Sequence, residues 1–179
     1  MKVLLSLSRV VDAANERLSV IADSLVLLSC LISAGNAFSR YAFGISSNAW
    51  LEIQWYMFGA LVLLGASYTL KKNEHVRVDI VYANLPTRGQ IWVDIGGTLL
   101  FLLPATIIMS YLSWPVFYNS WVENEISGNA GGLVRWYVKI FLPLGFALLS
   151  LQGLSELIKR IAMLTGHMKP DLHYERPLQ

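Results

Sequence analysis

Four long apolar runs dominate the chain, at about residues 20–38, 50–70, 91–117 and 140–157. A bilayer hydrocarbon core of about 30 Å takes about 20 helical residues to cross. The first two runs fit that length with little tilt. The third is longer and must tilt or project. The fourth starts beside Arg135 and Lys139, whose long side chains can reach outward from an apolar stem. The pattern predicts an all-α membrane protein with transmembrane helices at about 18–39, 50–70, 90–118 and 134–160 and a polar tail at 161–179. These form a single membrane domain over 1–179, because the polar intervals are too short to fold alone.

The first eighteen residues follow a different pattern. At about 100° per residue, Val3, Leu4, Leu7, Val10, Val11, Ala14 and Leu18 share one helical face, and Lys2, Arg9 and Glu16 lie opposite. This predicts an amphipathic N-terminal helix over 1–17 lying in the membrane interface ahead of the first span; the alternative is a frayed tail. Arg9, Asp12, Glu16 and Arg17 interrupt the apolar core that a cleavable signal peptide would need.

Composition agrees with a membrane class. Apolar residues make up 55% of the chain and charged residues 15%, against about 25% in soluble domains. The net charge of +2 is too small to suggest a nucleic-acid partner. Cys30 is the single cysteine, so neither an intrachain disulfide nor a cysteine metal cluster can form, and it reads as a small packing residue.

The placement of charge sets the orientation. Eleven Lys and Arg residues fall in the N-terminal segment, the second interhelical loop and the C-terminal tail, against Arg40, Arg135 and Lys139 on the other side. Positive residues collect on the cytoplasmic side, so both termini are expected there. Depth then limits function. Asp23, Asp94 and Glu156 fall near the expected cytoplasmic ends of their helices, and Glu52 near the opposite end of the second. The helix centres hold no acid, base or histidine, whereas a proton-coupled carrier usually places an ionisable relay at mid-depth. His75, His167 and His173 lie outside the apolar runs, which excludes a haem held by two intramembrane histidines. With no nucleophile–base set, phosphate-binding glycine loop or metal-ligand spacing, neither an enzyme nor a cofactor is expected. Glu123 and Glu125 lack the repeated oxygen ligands of a calcium loop.

Small residues recur along the second span as Gly59 and Ala60, then Ala66 and Ser67, with Gly65 between; Gly96, Gly97, Gly145 and Gly153 mark the later spans. In lipid such residues admit close helix approach. They serve either packing among the chain's own helices or a partner. Trp50, Trp55, Trp114, Trp121 and Trp136 fall near the outer interface and Trp92 near the inner, the usual aromatic belt.

The second span ends in the dense mixed cluster LKKNEHVRVDI, residues 70–80, more than a stop signal for insertion requires. With its preceding helix, WLEIQWYMFGALVLLGASYTLKKNEHVRVDIVYANLP resembles the small membrane subunit of tripartite ATP-independent periplasmic (TRAP) transporters. The residues that carry the resemblance are Glu52, Trp55, Gly65, Ala66, Lys71, Glu74, His75, Arg77 and Asp79; all of these but Lys71, together with Gly59, form the expected partner or lipid interface. The segments SWVENEISGNAGGLVRWYVK and FLPLGFALLSLQGLSELIKR are similar to the third loop and fourth helix of that family, so the likeness spans about 18–160. Several segments look closest to the branch labelled mannitol or chloroaromatic, whose relatives are associated with 2-oxo acids and other organic acids.

The resemblance implies a scaffold subunit in the bacterial inner membrane. Its implied partners are a large sodium-coupled elevator subunit, a periplasmic substrate-binding protein that delivers an organic acid, and membrane phospholipid. The polar tail ending at Gln179 is expected to leave the large subunit as a separate chain. A structural four-helix subunit of another inner-membrane complex is the alternative. On a helical turn Glu74 would adjoin Arg77, and His75 would adjoin Asp79, at about 0.2–0.5 kcal/mol per pair. They would form a rigid corner whose Arg77 reaches lipid phosphate or the large subunit; the alternative is a solvated stop-transfer run. On the outer side, the loop over 119–132 carries Glu123 and Glu125 with no basic residue, beside Arg135. Glu123, Glu125 and Arg135 are the residues expected to help dock the binding protein, or else the acids pair with Arg135 or Lys139.

Overall fold

The computed structural model describes residues 1–75, 82 and 84–168. Its helices are α1 (Lys2–Phe43), α2 (Asn48–Lys72), α3 (Thr87–Gly97), α4 (Leu103–Val122), α5 (Trp136–Lys139) and α6 (Phe141–Leu164). A π-helical segment, Thr98–Leu102, joins α3 to α4 in one rod over Thr87–Val122. Four rods, Lys2–Phe43, Asn48–Lys72, Thr87–Val122 and Trp136–Leu164, are long and apolar enough to cross a membrane.

The expected separate N-terminal interfacial helix is absent. Residues 2–43 form one unbroken helix, with no proline and no positive-φ residue before its left-handed cap at Gly44, φ 67°. The apolar N-terminal face stays outside: Val3, Leu4, Leu7 and Val10 are exposed. Lys2, Arg9 and Glu16 opposite are exposed as well; the flank between the two faces docks on α6, where Ser8 Oγ meets Ser155 Oγ at 2.6 Å. The helix continues unbroken alongside α6, where Ser8, Asp12 and Asn15 find hydrogen-bond partners that a helix turned away from the bundle would forfeit.

The packing is inverted relative to a soluble bundle. Among the described residues, fifteen polar side chains are buried against seven apolar ones, while most large apolar side chains face outward. In lipid, apolar burial drives no helix together; close packing and interhelical hydrogen bonds do. On α1 the buried positions Ser8, Asn15, Ala22, Ser29 and Asn36 recur every seven residues, the spacing of a continuous seam. α6 is the hub: α1, α2, α3 and α4 all pack against it. It admits them with small residues. A Cβ on Gly145 would stand 2.7 Å from Leu63 Cβ, and one on Gly153 would stand 2.8 Å from a Leu102 methyl.

The π segment lies beside Gly153. Pro104 has no N–H, so an α-helix running into it loses one backbone donor. Here Leu103 N–H reaches back to Thr98 O, one residue further than in an α-helix.

Candidate functional site

Two polar clusters stand at opposite ends of the bundle. At the end carrying both the start of α1 and the end of α6, α6 presents Gln152, Ser155, Glu156 and Lys159 on one face, spaced three, four and seven residues apart. Gln152 is fully buried and uses both ends of its amide. Its Oε1 accepts from Asn15 Nδ2 at 2.7 Å, and its Nε2 donates to Asp12 Oδ1 and Glu156 Oε1, each at 2.9 Å. Asn15 Oδ1 accepts from Ser67 Oγ at 2.9 Å, which brings in α2. Lys159 Nζ pairs with Asp12 Oδ2 at 2.8 Å and Glu156 Oε1 at 2.7 Å. Lys71 Nζ pairs with Glu16 Oε1 at 2.6 Å. Arg160 Nε lies 3.3 Å from Asp94 Oδ2 and ties in α3. Every spanning rod is therefore fastened at this end, and each acid in the cluster has a partner. A half-satisfied polar network would be worse than an apolar one; a satisfied one fixes a single packing.

The other end is held by Glu52, only 4% exposed. Its carboxylate accepts from Leu133 N–H at 2.7 Å, from Asn129 Nδ2 at 2.6 Å and from Ser127 Oγ. All three donors belong to the loop between α4 and α5. That loop is closed by an antiparallel bridge between Ile126 and Val134, with Arg135 N–H donating to Glu125 O at 2.8 Å. Its turn passes through Gly131 at φ 69°, a left-handed conformation that glycine adopts without a Cβ clash. Asn48 Nδ2 donates to Ala130 O at 3.0 Å and joins the loop tip to the start of α2.

Glu125 makes the loop's ion pairs, with Lys139 Nζ and with Arg135 Nη1, the latter at 3.3 Å. The Lys139 hydrogen bond, aided by Arg135, pulls its carboxyl down from 4.5 to about 2. A depressed folded-state value means the contribution to stability is whole above the ordinary 4.5 and fades as pH falls toward 2. The melting-temperature difference between wild type and Glu125→Gln should therefore be constant well above pH 4.5 and shrink steadily as pH falls from there toward about 2. A difference as large at pH 2 as at pH 7 would show that the charge pair is not its source.

The residues singled out in the sequence are distributed as follows. Glu52 faces the chain's own loop. Trp55 is 67% exposed. A Cβ on Gly59 would touch Val138 at 3.5 Å, Gly65 has open space where a Cβ would be, and Ala66 is half-buried. Glu74 and His75 are exposed just past α2, whereas Arg77 and Asp79 lie outside the described residues. Glu123 is exposed, Glu125 is paired and Arg135 is exposed beside it. Sequence reasoning passed over Asp12, Asn15, Gln152 and Lys159. Their signal was present: small or polar residues every seventh position on α1, and polar residues on a single face at the end of α6.

Between the two clusters, residues 24–39, 53–70, 95–122 and 140–155 contain no Asp, Glu, Lys, Arg or His. Polar inside, apolar outside and four spans long, the chain is an integral membrane subunit. Residues 13–163 match the family described as tripartite ATP-independent periplasmic transporters, DctQ component. The chain belongs to that family, an inner-membrane permease component rather than an enzyme. Over 115 residues it is 25% identical to a protein of Haemophilus influenzae described as a TRAP transporter small permease; the match covers 64% of this chain and 66% of that relative.

Proposed function

We propose that the chain is the rigid scaffold subunit of its TRAP transporter. A large sodium-coupled elevator subunit moves against it, taking up an organic acid handed over by a periplasmic binding protein. The observation that carries this reading is the pair of polar clamps, one at each end, with no ionisable residue in the spans between them. Such a chain has groups to hold its own helices in place and none at mid-depth to bind and release a coupled proton. The eleven-to-three bias of basic residues supports an orientation with both termini cytoplasmic, which turns the Glu52 loop toward the periplasm. Exposed Trp55, Glu74 and His75 are then left for the large subunit or phospholipid, with Arg77 and Asp79 assigned to the same interface.

Within the outer loop, Glu125 is engaged by Lys139 and Arg135, so docking of the binding protein falls to exposed Glu123. Rim charges of this kind mainly set association rate. One reconstitution tests the whole reading. In proteoliposomes under a sodium gradient, the chain alone should take up none of the acid that the binding protein carries. With the large subunit and the binding protein, uptake should appear. Glu123→Lys should slow uptake about tenfold at limiting binding protein and recover with excess. Uptake by the chain alone would overturn the scaffold reading; unchanged uptake by Glu123→Lys at every binding-protein concentration and salt would remove Glu123 from docking.

A further inference from the structure

At the hairpin end, α1 and α2 leave an open cleft of about 510 Å³ between them. Its polar lining consists of Ser33, Asn36, Arg40 and Gln54, and its apolar walls include Ala37 and Leu51. One polar atom of the lining is buried without a partner, and a second side chain is unpaired with its amide open to the cleft. Gln54 Nε2 has no acceptor. Asn36 is 9% exposed, and its amide makes no hydrogen bond among the described residues. A buried amide left unpaired carries its full desolvation penalty. Arg40 is the only charged residue in the lining, and its guanidinium makes no ion pair among the described residues.

Two carboxamides, a hydroxyl and one exposed positive charge, with no acid in the lining, suit an acceptor-rich anion. A guanidinium matches two oxygens of a phosphate through parallel N–H groups. The level of the cleft narrows the source. Arg40 lies one turn before the end of α1, where a spanning helix leaves the hydrocarbon, and Tyr41 and Trp50 stand exposed at the same level. Below it the same two faces turn apolar: Val26 lies seven residues before Ser33 on α1, and Phe58 seven residues after Leu51 on α2, both exposed.

We infer that this cleft holds the phosphodiester of a phospholipid whose acyl chains lie along Val26 and Phe58. The headgroup supplies the acceptors that Gln54 and Asn36 lack, and its charge meets Arg40. The inference rests on the chain spanning a membrane and not on which side the hairpin end faces. It is also independent of the scaffold reading.

Native mass spectrometry of the full chain, with phosphatidylglycerol titrated into mild detergent, tests it. Wild type should retain one phospholipid. Arg40→Ala and Gln54→Leu should each weaken retention by about tenfold or more, the usual loss for a hydrogen bond to a charged group. Arg40→Lys should restore part of it, which separates lost binding from lost folding. Equal retention by wild type and both loss variants overturns the site. In parallel, inorganic phosphate at matched concentration should not protect the chain against thermal unfolding as phosphatidylglycerol does. Equal protection would make the cleft a soluble-anion site. Absence of the lipid from chain purified with its large subunit would hand the site to a protein carboxylate. Either of those results overturns the lipid assignment.

Discussion

Glu52→Ala is expected to free the loop between α4 and α5 from the bundle. One carboxylate, 4% exposed, takes three hydrogen bonds from that loop. Hydrogen bonds to a charged group contribute about 1.5–3 kcal/mol each, and removing one partner leaves buried donors without acceptors. Leu133 N–H has no other acceptor among the described residues to replace the carboxylate. Amide exchange at Leu133 and Ser127 should therefore quicken by about tenfold to a hundredfold, while amides at the centre of α6 keep their protection. Glu52→Gln keeps the shape and one carbonyl acceptor, so it should fall between. Unchanged exchange at Leu133 in the alanine variant would mean that the Ile126–Val134 bridge holds the loop unaided.

A second large effect is expected where α6 crosses α2. Gly145 leaves no room for a side chain: a Cβ there would stand 2.7 Å from Leu63 Cβ and 2.8 Å from Leu63 O. Backbone cannot rotate out of the way as a side chain can. Gly145→Ala should cost about 1–3 kcal/mol by forcing the helices apart. Gly145→Leu should prevent the bundle from forming, seen as loss of a monodisperse species in detergent. Gly65→Ala is the control, since nothing lies within 4 Å of a Cβ there. It should leave the melting temperature within the range of ordinary surface substitutions, about 0.5 kcal/mol in stability. Equal melting of Gly145→Ala and Gly65→Ala would show that the interface yields freely.

The contrast between these two glycines marks what the sequence could tell. Apolar run length alone announced four helices able to span a membrane, because lipid demands long stretches without charge. Run length says nothing of which side of a helix is inside. Small residues were visible at Gly59, Gly65, Gly145 and Gly153, but only the fold separates the tightly packed pair on α6 from open Gly65. The apolar side of the first eighteen residues was legible and is exposed. Lys2, Arg9 and Glu16 opposite it are exposed too, and the buried seam runs through Ser8 and Asn15 on the flank between, which the two-faced pattern did not mark. A rule learned in water, polar outward, fails where the surroundings are as apolar as leucine. Glu52 stood out for its position, but its partners sit more than seventy residues away in the chain, and periodicity carries no such information.

The π segment has a consequence for comparing relatives. Asp94 and Thr106 both face α6, the first toward Arg160 and the second toward Ser150. They are twelve residues apart, which in an unbroken α-helix rotates one about 120° from the other. The wide turn at Thr98–Leu102 absorbs one residue, and the remaining eleven bring them to within about 20°. A homologue one residue shorter between these points would keep both contacts on a plain α-helix. An alignment gap of one therefore belongs inside 98–102, and a second extra residue there would swing one contact away from the hub.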